Sequence, residues 1–282
     1  MSNSSQDFNA HQFLKFAIDN KVLRFGEFTL KSGRISPYFF DSGLFNSGKL
    51  LASLARFYAT RLNQMETEDF MLFGPAYKGI PLASATACAL SEHHGRDVPY
   101  AFNRKEKKKH GEGGMVVGAE LKGRVIIIDD VITAGTSVRD SIRIIQASGA
   151  EPVGVIIALD RQEKIDDLKY SAVQIIQNEM MFKVYSITTF AELITCIRSS
   201  KNLSHFTSIL ENYRESNIYW KYSFPSSLYS RCRTTDSLKG INLKWQQIIV
   251  QLVFRFRRIS CLEFRQIPLI MLEPVVITPK MV

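Results

Sequence analysis

The sequence predicts an α/β protein built on a mostly parallel sheet flanked by helices, and three patterns predict it. Short β-branched apolar runs recur at 69–73, 98–102, 125–128, 153–159 and 183–187, the mark of buried strands. Helical patterns separate most of them, and such alternation argues for a parallel sheet covered on both sides. The run at 125–128 ends in two adjacent acids and a loop of small residues that opens a helix. Ligands of open α/β sheets bind at that C-terminal strand edge.

The elements follow in order. Amphipathic helical patterns occupy 8–18 and 47–62. Between them, 25–40 alternates around a Lys31-Ser32-Gly33-Arg34 turn, which reads as a small N-terminal hood over about 20–45. The segment 80–93 is rich in Ala and Leu, and 136–147 places Val138, Ile142 and Ile145 along one face. Helical patterns at 190–198 and 203–214 close a domain spanning 1–216.

Composition bounds the function. At 282 residues, with 45% hydrophobic and 22% charged residues, the chain has enough apolar material for a real core. No run approaches the roughly 20 apolar residues that a membrane-spanning helix needs, and the polar N-terminus lacks the apolar centre of a secretory signal. Four widely spaced cysteines form no CxxC pair, so reduced thiols and a cytoplasmic location are expected. The net charge of +9 is uneven: residues 217–282 hold ten Lys/Arg against three Asp/Glu, so they contribute +7. Both tryptophans, Trp220 and Trp245, fall there too. The main domain is thus near neutral, and neither a nucleic-acid nor a membrane partner is expected for it. The basic extension reads either as a partner or membrane-surface helix or as a poorly ordered addition without selected function, and the second reading is preferred.

Three segments carry chemistry. In the first, Asp129 and Asp130 are followed by Val131, Ile132, Thr133, Ala134, Gly135, Thr136 and Ser137. The small residues from Thr133 let backbone N–H groups wrap a phosphate at a helix N-terminus. The acids repel phosphate and so are expected to face something else, such as the vicinal hydroxyls of a sugar. The spacing fits neither a Walker A loop nor a GxGxxG turn. The second segment, Gly74-Pro-Ala-Tyr77-Lys78-Gly79, lies on the same edge and offers a point charge suited to a pyrophosphate. The third, Asn103-Arg104-Lys105-Glu-Lys-Lys108-Lys-His110-Gly-Glu-Gly-Gly114, is too charged to pack in a core. It reads as a mobile lid over a polyanion at about 104–114, or as a solvated basic hairpin.

These segments resemble type I phosphoribosyltransferases, and among them the bacterial and fungal orotate phosphoribosyltransferases, over about residues 8–216. The resemblance implies the type I phosphoribosyltransferase fold. It also implies transfer of the phosphoribosyl group of phosphoribosyl pyrophosphate to orotate, giving orotidine 5′-monophosphate and pyrophosphate in pyrimidine biosynthesis. It implies that Thr133–Ser137 hold the 5′-phosphate and that Asp129 and Asp130 bind the ribose hydroxyls, with Val131 and Ile132 part of the same signature. Lys31, Tyr77, Lys78, Arg104, Lys105, Lys108 and His110 are implied to contact the phosphoribosyl substrate. Lys108, Arg104 and His110 are the candidate catalytic side chains beside the two acids. Phe39, Phe40, Thr133 and Arg161 are implied to meet orotate, Arg161 as a bidentate clamp on its carboxylate. Mg²⁺ is the implied cofactor, held mainly through substrate with no dominant protein ligand. A homodimer is implied in which the lid acts in trans. A purine acceptor and a ligand-sensing regulator that binds nucleic acid are the rival readings. Arg161 and the Gly74–Gly79 loop favour orotate, and the near-neutral main domain argues against the regulator.

Overall fold

The computed structural model describes residues 9–30, 33–108, 114–165 and 170–218, without the side chains of Lys107 and Lys108. The chain divides into two units, Met1–Trp220 and Lys221–Val282, and all described residues belong to the first. No helix among them is long and apolar enough to cross a membrane.

The chain begins with α1 (Ala10–Asp19), whose Asn9 and Gln12 form a reciprocal capping box. The hood follows as an antiparallel pair, β1 (Leu23–Thr29) and β2 (Ile35–Phe40), with Leu23 opposite Phe40. A register shift between Phe25 and Phe28 lets the pair curl. A 3-10 turn at Ser42–Leu44 leads into α2 (Gly48–Met65).

The main sheet has six strands in the order β5-β4-β3-β6-β7-β8. They are β3 (Met71–Gly74), β4 (Tyr100–Lys108), β5 (Gly114–Gly118), β6 (Arg124–Ile128), β7 (Glu151–Asp160) and β8 (Lys183–Thr189). Pairing is parallel throughout except between β4 and β5. Helices α3 (Gly79–His94), α4 (Thr136–Ala147), α5 (Ala172–Met180), α6 (Phe190–Ser199) and α7 (Thr207–Asn217) complete the unit.

Alternation along β6 shows why the sheet sits between two helix layers. Ile126 and Ile128 join the cluster that contains Leu54, Tyr58, Leu90 and Leu193 from α2, α3 and α6. Val125 and Ile127 join the cluster of Val138, Ile142 and Ile176 from α4 and α5. All four β6 residues are 0% exposed, so a continuous apolar run is what a strand covered on both faces requires.

The fold class, the hood and the five expected strands are present. The structure departs from the sequence reading at four places. β5 and α5 had no predicted counterpart, although α5 carries a clear capping box of Ser171 and Gln174. The segment 203–214 is divided into a 3-10 turn at Ser204–Phe206 and α7. The charged run expected to be lid is strand through Lys108, pairing with Gly114. Backbone pairing at a sheet edge needs no buried side chains, so charge does not forbid it. The fold closes at Ile218, which bridges to Glu163, two residues beyond the expected boundary at 216.

Candidate active site

Because β3, β6 and β7 run parallel, their C-terminal ends deliver Gly74, Asp129 and Asp160 to one rim. Backbone bonds from Asp129 N to Ile156 O (3.0 Å) and from Ala158 N to Asp130 O (2.9 Å) hold the two acids in line with β7. Both acids are buried. The Tyr58 hydroxyl, inside the core, donates to the Asp129 carbonyl at 2.8 Å.

Asp130 is the better solvated electrostatically. Its Oδ2 accepts from Lys78 Nζ at 2.8 Å and from the Ser42 hydroxyl, and its Oδ1 accepts from the Val131 N–H at 2.8 Å. Burial pushes its pKa up, but the Lys78 and Ser42 hydrogen bonds and the Lys78 charge outweigh it, so the net direction is down. Asp129 accepts from the Asp130 N–H (2.9 Å) and has a bond from Ser137. Desolvation, with the neighbouring Asp130 charge second, pushes it up to about 7.

The loop after the acids keeps Thr133, Ala134, Thr136 and Ser137 exposed while Ile132 anchors it in the core. Gly135 takes a left-handed φ of +74°, and a Cβ there would lie 2.9 Å from Ile176 Cδ1. The β3–α3 loop is tighter still: a Cβ on Gly74 would sit 2.1 Å from the Gly79 carbonyl oxygen. The Ala76–Tyr77 peptide is cis, and Ala76 N–H is pinned by Asn103 Oδ1 at 2.9 Å. Tyr77 is exposed, and Lys105 Nζ lies 4.8 Å from its ring centroid. Arg104 Nη1 reaches the Gly114 carbonyl at 3.4 Å, across the β4–β5 pair.

At the β7 end, Arg161 packs over the Tyr38 ring (5.5 Å) and bonds Glu163 at 2.7 Å. In the hood, Phe39 packs against Phe28 (5.5 Å) beneath Arg24. Phe40 instead turns inward, tilted against Phe13 (6.4 Å) and edge-on to Phe45 (6.4 Å). Its side chain thus belongs to the core, and its backbone is what the rim can use.

The structure therefore brings together Tyr77, Lys78, Lys105, Asp129–Ser137 and Arg161. Lys31 and His110 lie outside the described residues, as does the Lys108 side chain. Ser42 escaped the sequence reading. It stands 88 positions from Asp130, and nothing in an Asp-Ser-Gly turn marks it as a ligand of a distant acid. Two concavities, of about 550 Å³ beside α1, α2 and α6 and about 800 Å³ at the N-terminal strand edge, are lined by none of these residues.

A phosphoribosyl transferase domain matches residues 43–189, so fold and rim together define a phosphoribosyltransferase. Relatives narrow the class. The orotate phosphoribosyltransferase of Thioalkalivibrio sulfidiphilus is 58% identical over 203 residues, covering 72% of this chain and 95% of that relative. That of Klebsiella pneumoniae is 54% identical over 204 residues, covering 72% and 95%. The crystal structure of the Francisella tularensis enzyme aligns with a TM-score of 0.66 at 40% identity, covering 73% of this chain and 99% of that one. The chain belongs to the orotate phosphoribosyltransferases, enzymes of pyrimidine biosynthesis.

The raised pKa of Asp129 carries a stability prediction. Its folded pKa exceeds the unfolded one, so the folded state holds the proton more tightly. The contribution of this group to stability falls as pH rises from about 4 to about 7, and its penalty is complete above that. Asp129→Asn removes the penalty. It should stabilise the protein by about 1–2 kcal/mol above pH 7, or roughly 2–8 °C in Tm, with the gain shrinking toward pH 4. Thermal melts of both proteins across that range measure it, and a pH-independent difference contradicts the assignment.

Proposed function

We propose that the rim binds phosphoribosyl pyrophosphate with its 5′-phosphate on Thr133–Ser137 and its ribose hydroxyls on Asp129 and Asp130, and that orotate lies toward Arg161. The observation that carries this reading is the convergence of Lys78 and Asp130, from separate strand ends, to 2.8 Å. A cation and an acid meet where a sugar with a phosphate at either end needs both. Exposed Thr133, Thr136 and Ser137 at the N-terminus of α4 suit the phosphate. Arg161 offers a planar fork to the base carboxylate. Phe39 and the backbones of Phe40 and Thr133 border the base.

In the reaction, orotate N1 bonds to C1 of the ribose as the C1–oxygen bond to pyrophosphate breaks, the N1 proton passes to solvent or pyrophosphate, and negative charge builds on the departing group. The protein has little covalent work to do, so positioning and electrostatic stabilisation dominate. Lys78 exchanges Asp130 for the leaving pyrophosphate. Arg104, Lys105, Lys108 and His110 close over it, with Lys31 reaching from the hood and Tyr77 backing Lys105. Mg²⁺ suits this donor set. Asp129 and Asp130 present carboxylate oxygens at the rim, and no cluster of three or more His, Cys, Asp or Glu among the described residues forms a cage. The ion supplies charge neutralisation on the pyrophosphate. The active form is a homodimer with the lid reaching the partner's rim. The catalytic domain runs through Ile218, the charged segment at about 104–114 acts as its lid, and the residues after it are a basic extension outside the chemistry. The free thiols of Cys88 and Cys196 suit the cytoplasm.

Incubation with phosphoribosyl pyrophosphate, Mg²⁺ and either orotate or a purine, followed by base absorbance, tests the substrate. Turnover is expected with orotate alone, and turnover with a purine overturns the base assignment. Lys108→Ala should lower kcat about 10²–10³-fold, the cost of about 2.7–4 kcal/mol for one lost contact in a water-excluded site, with Tm unchanged. Co-expression with an Asp130→Asn subunit should restore activity in mixed dimers if the lid acts in trans, and no recovery argues for action in cis. Truncation after Ile218 should leave kcat and KM unchanged. A loss of turnover gives the extension a catalytic role.

A further inference from the structure

Glu163 has no part in the reaction as derived so far, yet it is a hub of the base end of the rim. Its Oε1 accepts from Arg161 Nη2 at 2.7 Å, from the Tyr213 hydroxyl at 2.8 Å and from the Tyr38 hydroxyl at 3.2 Å. Its Oε2 faces Arg34 Nη1 at 3.8 Å. The carboxylate is 13% exposed and the Arg161 side chain 16%, so both are largely desolvated. Four chain segments meet here: the hood through Arg34 and Tyr38, the end of β7 through Arg161, α7 through Tyr213, and the closing bridge of Glu163 to Ile218.

The donors define which face of Arg161 is used. A guanidinium has five N–H groups, one on Nε and two on each Nη. The Nε–H bonds the Tyr38 hydroxyl at 3.3 Å, and Nη2 bonds Glu163. These two nitrogens form the side-on edge of the fork. Among the described residues, the end-on edge of Nη1 and the second Nη2 hydrogen keeps its donors for a ligand. Burial pushes the Tyr213 hydroxyl up to about 12, with the Glu163 charge second, and raises Tyr38 too, so both stay protonated and keep donating.

We infer that Glu163 is a positioning residue for the base: it anchors one edge of Arg161 so that the opposite edge is presented, pre-oriented, to an anionic acceptor. The inference rests on the proposed role of Arg161. One oxygen taking three donors needs the full charge of a carboxylate. A glutamine oxygen cannot hold all three, and its amide would point N–H groups at Arg34. The freed guanidinium keeps its charge but loses its orientation, and a bidentate clamp depends on orientation.

The test is steady-state kinetics on the full chain, with the KM of orotate and of phosphoribosyl pyrophosphate measured separately. The proteins are wild type, Glu163→Gln, Arg161→Lys and the double variant. Glu163→Gln should raise the KM of orotate about tenfold, as for a lost charge-assisted bond. The KM of phosphoribosyl pyrophosphate and kcat should stay within roughly twofold to threefold. In the Arg161→Lys background the same change should add less than about twofold, because Glu163 acts through Arg161. An unmoved KM for orotate, a parallel rise in both KM values, or an equal factor in both backgrounds overturns the inference. If Arg161→Lys alone leaves the KM of orotate unchanged, the role of Arg161 falls as well, which separates the two failures. Should Glu163→Gln not fold, Tyr213→Phe removes one of the three donors. It should raise the KM of orotate about two- to threefold, and no change in that variant overturns the inference equally.

Discussion

Two adjacent carboxylates at the dry end of a strand repel each other and resist losing water, and this one conflict organises the rim. Asp130 escapes it by recruiting Lys78 from the β3–α3 loop, Ser42 from the turn after the hood and the N–H of Val131. Asp129 leans on the N–H of its neighbour and on Ser137 at the start of α4. Each partner comes from a different part of the chain. Satisfying the acids therefore positions the loop before α4, the β3–α3 loop and the hood turn relative to one another. The residual strain falls on Asp129, whose proton is held well above the usual carboxylate range by burial. A site that stores such a cost trades stability for a field already in place when ligand arrives.

Close backbone approach is the second constraint, and it belongs to glycine. Gly74 and Gly79 touch so tightly that no Cβ fits between the strand end and the first turn of α3. Gly135 combines a left-handed backbone with contact to Ile176. The close approach holds the β3–α3 loop against the first turn of α3 and the loop before α4 against α5.

Legibility in the sequence followed the distance between partners. A strand, its two acids, the small-residue loop and the helix after it are contiguous, so 125–147 could be read whole, and α4 begins at Thr136 as expected. The Gly74–Gly79 loop was legible for the same reason. Ser42 was not, because its partner is 88 residues away and a serine after a turn has many ordinary uses. Glu163 sat in plain view two residues past Arg161, but its other donors, Tyr38 and Tyr213, arrive from 125 positions before and 50 after. The extent of β4 was not legible, because a run rich in lysine offers no apolar alternation, whereas strand pairing near a sheet edge needs only the backbone. Phe40 was legible only as a position, since its ring packs against Phe13 and Phe45 and leaves its backbone for the rim.

The rim shows a common electrostatic logic at its two ends. At one end Lys78 rests on Asp130, and at the other Arg161 rests on Glu163. A cation needed for an anionic ligand would otherwise be a poorly solvated charge beside a low-dielectric wall, and unpaired charges there are costly. Pairing each with a fixed carboxylate removes that cost, but the two pairs differ in what a ligand must do. Lys78 is exposed on a flexible stem, and its bonds to Asp130 (2.8 Å) and to the Ser42 hydroxyl (3.0 Å) are point contacts that an anionic ligand can replace. Arg161 is held by two bonds along one edge of a rigid fork, so a ligand adds to its opposite edge without displacing anything. The Lys78 end is thus built for exchange and the Arg161 end for addition, which is what the proposed assignment requires of a leaving group that departs and an acceptor that must stay aligned.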